Sequence, residues 1–64
     1  MFVIETNFGI VAGFSKQHQI VQITDHPDYV KKFKTEGAAV KWGKKYANAG
    51  YGMDSFTVKS IKEN

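Results

Sequence analysis

The stretch Thr35-Glu36-Gly37-Ala38-Ala39-Val40-Lys41-Trp42-Gly43-Lys44-Lys45-Tyr46 decides the fold class, because a helical period replaces the alternation that precedes it. Thr35 is a good N-cap, and Glu36 sets a carboxylate in the first turn, where the helix dipole favours it. Ala39, Trp42, Gly43 and Tyr46 follow the i, i+3, i+4, i+7 spacing of a buried stripe, bordered by Ala38 and Val40. Gly37, Lys41, Lys44, Lys45 and Asn48 fall on the opposite side. The pattern predicts a helix from Glu36 to about Asn48 with one face on a sheet, closed by Asn48-Ala49-Gly50 with Gly50 in the left-handed position. Each internal glycine costs about 1 kcal/mol relative to alanine. Gly43, on the stripe, is expected to let the helix approach the sheet closely; Gly37 has no such reason.

Working outward toward the N-terminus, Phe2, Ile4 and Thr6 alternate with Val3 and Glu5, a short strand that ends at the turn signal Asn7-Phe8-Gly9. Ile10, Ala12 and Phe14 alternate with Val11 and Gly13, and a period of two places those three on one face of a second strand. After the polar turn Ser15-Lys16-Gln17-His18, residues 19–24 read as a third strand, with Val21 and Ile23 opposite Ile20. Asp25-His26-Pro27-Asp28 breaks it. Tyr29, Val30 and Phe33 suggest a short extended piece before the helix. Beyond the helix, Gly50-Tyr51-Gly52-Met53-Asp54 is a loop, and Phe56, Val58 and Ile61 form a closing strand, with fraying from Lys62 onward. The order is β-β-β-α-β, an α+β domain in which a small antiparallel meander and the C-terminal strand share one sheet. A right-handed crossover is expected if the closing strand runs parallel to its neighbour.

Composition narrows the classes. Sixty-four residues at 7.2 kDa make one domain, 42% hydrophobic and 14% aromatic, too apolar for a disordered tail. A chain of this size buries only about 60% of its unfolded surface, so little material is left over for a deep pocket. Absence of cysteine removes disulfides, thiolate metal sites and cysteine nucleophiles, and favours an intracellular, cytoplasmic location. The longest apolar run, residues 9–14, is far short of a bilayer span, and the opening residues lack a basic leader region.

Charge is uneven. Residues 1–30 hold Lys16 against Glu5, Asp25 and Asp28, whereas residues 31–64 hold eight lysines against Glu36, Asp54 and Glu63. All nine basic residues are lysine, so no guanidinium fork exists to read bases or phosphates bidentately.

Catalysis is weakly signalled. His18 and His26 lie in expected turns, and Pro and Asp around His26 are ordinary turn chemistry. Ser15, Thr35 and Ser55 have no setting that marks a nucleophile, and metal binding needs more ligands than these histidines and scattered carboxylates offer. Gly50-Tyr51-Gly52 matches no phosphate-binding fingerprint. Lys31, Lys32, Lys34, Lys41, Lys44 and Lys45 are candidates for tracking a phosphate backbone, although a solvated face is the commoner explanation of such a set. Phe8, Tyr29, Tyr51, Met53 and Asp54 are candidates for protein recognition, because aromatics are enriched at interface hot spots. An edge strand of the small sheet is a further contact surface, by strand addition or homodimer pairing.

The stretch Tyr29-Val30-Lys31-Lys32-Phe33-Lys34-Thr35-Glu36-Gly37-Ala38-Ala39-Val40-Lys41-Trp42, preceded by Phe2-Val3-Ile4 and followed by Phe56-Thr57-Val58, resembles a layout of small uncharacterised proteins encoded by phages and prophages of Gram-positive bacteria. In that layout Phe33 is an anchor, Thr35 a cap, and Ala39 and Trp42 packing residues; Val30 stands at a usually small position, and Gly37 and Gly43 depart from it. The resemblance implies a small accessory protein that acts by binding, against a host enzyme or defence complex. The sequence therefore sets up a non-enzymatic, cofactor-free protein-binding module as first expectation and a low-specificity nucleic-acid binder as second.

Overall fold

A computed structural model describes residues 1–61. The expectation for residues 62–64 lies outside them. Strands β1 (Phe2–Thr6), β2 (Gly9–Ser15) and β3 (Ile20–Thr24) form the meander, helix α1 (Glu36–Tyr46) follows, and β4 (Thr57–Ser60) closes the chain. The sheet order is β3-β2-β1-β4 and every pairing is antiparallel. Because β4 runs antiparallel to β1, no parallel crossover arises. The α+β class follows directly from these local periods.

The β1–β2 turn is held by Thr6, whose hydroxyl donates to the Gly9 carbonyl at 2.9 Å and accepts from the Phe8 N–H at 3.1 Å. Along β2, the expected face of Ile10, Ala12 and Phe14 is corrected by a bulge. Val11 pairs with Ile23 and Gly13 with Gln22, so Ala12 is the extra residue and the alternation restarts after it. Val11 and Phe14, three apart, thus share the helix side with Ile23 and Val21.

Residues 31–33 do more than extend the chain. β1 pairs with β2 only near the hairpin, at Glu5↔Ile10 and Thr6↔Gly9. Farther along, the Val11 carbonyl accepts instead from the Lys31 N–H, and Phe2 exchanges two backbone bonds with Phe33, at 2.9 and 2.8 Å. The segment is wedged between strands that splay apart, and it satisfies backbone groups that would otherwise be orphaned. The wedge carries Phe33 into the core, two residues before the helix cap.

Thr35 caps α1 as expected, its Oγ1 accepting from the Ala38 N–H at 3.1 Å. The helix stops at Tyr46 rather than Asn48. Asn48, not Gly50, takes the left-handed conformation next to the C-cap, with φ 56°, and its N–H donates to the Met53 carbonyl. Asparagine tolerates that conformation, so the turn begins two residues early. Gly50, φ 83°, bends the loop that follows.

The core is Ile4, Val11, Val21, Phe33, Ala39 and Met53, ringed by half-buried Phe2, Phe14, Trp42, Tyr46, Tyr51, Phe56 and Val58. Gly43 earns its place on the stripe: a Cβ there would lie 2.5 Å from the Phe56 ring. Gly37 faces open space, with nothing within 4 Å of such an atom. Val3 is also buried, but on the opposite side of the sheet from Ile4, beside Lys59, whose ammonium meets the Glu5 carboxylate at 3.1 Å.

Candidate interaction surfaces

Strand directions bring three connections to one end of the sheet: the β1–β2 turn, the segment leaving β3, and the residues entering β4. Pairing of Thr6 with Gly9, of Ile10 with Thr24 and of Glu5 with Thr57 fixes this convergence. Phe8, at the tip of the first connection, is 78% exposed, and Tyr29, in the second, is 68% exposed. Asp25 and Asp28 sit beside Tyr29 in sequence and are exposed; Asp54 precedes the third connection. The end is therefore aromatic and acidic. A small cleft of about 140 Å³ between Glu5, Thr6, Asn7, Ser55, Phe56 and Thr57 opens on the same end.

His26 shapes this end. Its Nδ1 accepts from the Asp28 N–H at 3.2 Å and so caps the short 3₁₀ turn Pro27–Tyr29, while its ring lies 4.9 Å from that of Tyr29. An Nδ1 that accepts is unprotonated, so the bond requires the neutral imidazole. The Asp28 carboxylate is 3.8 Å from the same nitrogen. His18 lies before β3 and His26 after it, so the strand holds the two imidazoles at its opposite ends. Among the described residues no group of three or more His, Asp and Glu is placed to hold a metal ion.

The loop expected to present Tyr51 and Met53 together does not do so. Met53 is 1% exposed and belongs to the core, so it is corrected from a surface anchor to a packing residue. Tyr51 is half-buried: its ring lies 5.0 Å from Phe14 and 5.5 Å from Tyr46, and its carbonyl accepts from the Val21 N–H at 2.8 Å. That bond also covers part of the exposed edge of β3, one of the sheet's two edge strands. Asp54 is exposed but stands beside a buried neighbour rather than an exposed anchor.

The lysines divide into two sets. Lys31 is half-buried with its ammonium 5.5 Å from the centre of the Phe33 ring; Lys32 and Lys34 are exposed on the wedge segment. Lys41, Lys44 and Lys45 are exposed on α1. Between Lys41 and Lys45 the helix carries a shallow groove of about 410 Å³, lined by Ala38, Lys41, Trp42 and Lys45. Sequence reading placed Trp42 in the core, and half of that is right: the indole packs on Tyr46 at 4.5 Å and Phe33 at 6.0 Å, yet its outer part forms the groove. The missed signal was the i, i+3, i+4, i+7 set 38, 41, 42 and 45, which joins a ring to two cations on one flank.

No helix is long and apolar enough to cross a membrane among the described residues. Comparison with protein-family models, with curated proteins and with solved structures finds no match for the chain.

Proposed function

We propose that the chain is a non-enzymatic accessory protein that binds a protein partner through the end of the sheet carrying Phe8 and Tyr29. The observation that carries the reading is the exposure of Phe8, 78%, in a domain that otherwise sinks its phenylalanines into or against the core. Burying a side chain of this size is worth about 1.5–3 kcal/mol. Phe8 forgoes that in the free protein and recovers it in a partner's pocket. Tyr29 adds a second amphipathic anchor, and the exposed Asp25 and Asp28 complement a partner whose surface is basic around that pocket. A small phage or mobile-element protein directed at a host enzyme or defence complex, as the sequence resemblance implies, has this character.

The test is capture from a nuclease-treated lysate of the native host with the tagged wild type and with the Phe8→Ser/Tyr29→Ser variant. A protein held stoichiometrically by the wild type and lost by the variant supports the reading. A partner retained equally by both overturns it.

A further inference from the structure

We propose a second, separate binding site: the groove over Trp42, walled by Lys41 and Lys45, holds single-stranded nucleic acid, with a base on the indole and the backbone phosphates on the lysines. The groove, about 410 Å³, is shallow and open along one flank of α1, so an occupant lies on it rather than inside it. Its floor is apolar, from Ala38 and the Trp42 ring, and it is flanked by the stems of Lys41 and Lys45, the Lys45 ammonium lying 5.4 Å from the centre of the neighbouring Tyr46 ring.

Three observations favour a polyphosphate chain. Residues 30–50 hold Lys31, Lys32, Lys34, Lys41, Lys44 and Lys45 against Glu36 alone, a concentration of positive charge that attracts a polyanion. An aromatic platform inside a cationic groove is the arrangement that unpaired bases use, because every base offers a π-face, whereas duplex bases are already stacked. The ground before the ring is also kept low. A helical side chain leans over the turn on its N-terminal side, which for Trp42 holds the small residue Ala38. A larger residue at position 38 would cover the ring.

An acidic polypeptide is the competing occupant. It has to supply its carboxylates and an apolar side chain at one fixed spacing, while a nucleic acid repeats charge and ring at every residue and needs no register. Lysine rather than arginine at the walls fits point contacts to phosphate without base reading, so little sequence preference is expected.

Trp42 is the single tryptophan, so its fluorescence reports the groove directly. The experiment titrates the full chain with oligothymidylate, oligouridylate, a duplex and polyglutamate, following Trp42 emission, with anisotropy of the labelled strand in parallel. Quenching by either single strand is expected, the two arms separating DNA from RNA. With Lys41 and Lys45 each meeting a phosphate, affinity falls about 7-fold between 50 and 200 mM salt. Lys41→Gln/Lys45→Gln should bind more weakly and lose most of that salt dependence. Ala38→Leu should abolish the quench while anisotropy still detects lysine-driven binding, and circular dichroism confirms that each variant is folded. Absence of binding to both single strands, equal affinity for duplex or polyglutamate, or an unchanged salt dependence in the double lysine variant would overturn the proposal.

Discussion

Met53 and Gly43 show how one residue's role depends on what packs around it. Met53 follows two positive-φ glycines in a loop, yet it closes the bottom of the core with Ile4 and Val11. Met53→Ala is expected to cost about 2–5 kcal/mol in chemical denaturation, as for other buried large-to-small changes. A loss under about 0.5 kcal/mol, typical of surface positions, would contradict its burial. At Gly43, alanine gains about 1 kcal/mol of helix propensity but forces the Phe56 ring aside, an overpacking cost of about 1–3 kcal/mol. The clash wins, and Gly43→Ala is expected to lower stability. Both roles were half legible in the sequence. Spacing put Gly43 on the buried stripe, but no local pattern tells a buried loop methionine from an exposed one, because its burial comes from elements distant along the chain.

For the elements, α1 is the part most open to adjustment. Gly37→Ala, in the first turn and facing open space, removes backbone freedom from the unfolded chain without meeting any atom. It is expected to add about 0.5–1 kcal/mol and raise Tm by about 2–8 °C. Opposite signs for Gly37→Ala and Gly43→Ala in thermal melts would establish which face of the helix touches the sheet; a gain at both would place Phe56 elsewhere. Thr35→Ala removes the Oγ1 that accepts from the Ala38 N–H and should cost about 1 kcal/mol. Helix and strands were legible because their periods are local properties of the sequence. The bulge at Ala12 was not, since it answers to pairing with β3, and an uninterrupted alternation of Ile10, Ala12 and Phe14 gives no local sign of it.

Across the whole molecule, the fold sorts chemistry that the sequence only hints at. Phe8, Tyr29, Asp25 and Asp28 gather at one end of the sheet, while Lys41 and Lys45 flank Trp42 on the helix. These surfaces lie outside the core, so Phe8→Ser/Tyr29→Ser and Lys41→Gln/Lys45→Gln should each shift the denaturation midpoint little, by the equivalent of about 0.5 kcal/mol per site or less. A cooperative loss of structure in either variant would show that these side chains support the fold. Of the candidate residues, exposed turn aromatics and lysines were legible from their settings. Tyr51 and Met53 were not, because the loop that carries them bonds back to Val21 and Asn48.

The sequence by itself determined the element order, the helix cap, the buried helical stripe and the excess of lysine in the second half. Each of these rests on interactions between residues a few positions apart. Only the tertiary structure decided that residues 31–33 wedge between β1 and β2, that β4 lies against β1, that Met53 is core and that Trp42 floors a groove. The reason is physical: backbone donors at Phe2, Lys31 and Val21 and the apolar face of the sheet find partners far along the chain. Those partners exist only once the chain has closed on itself.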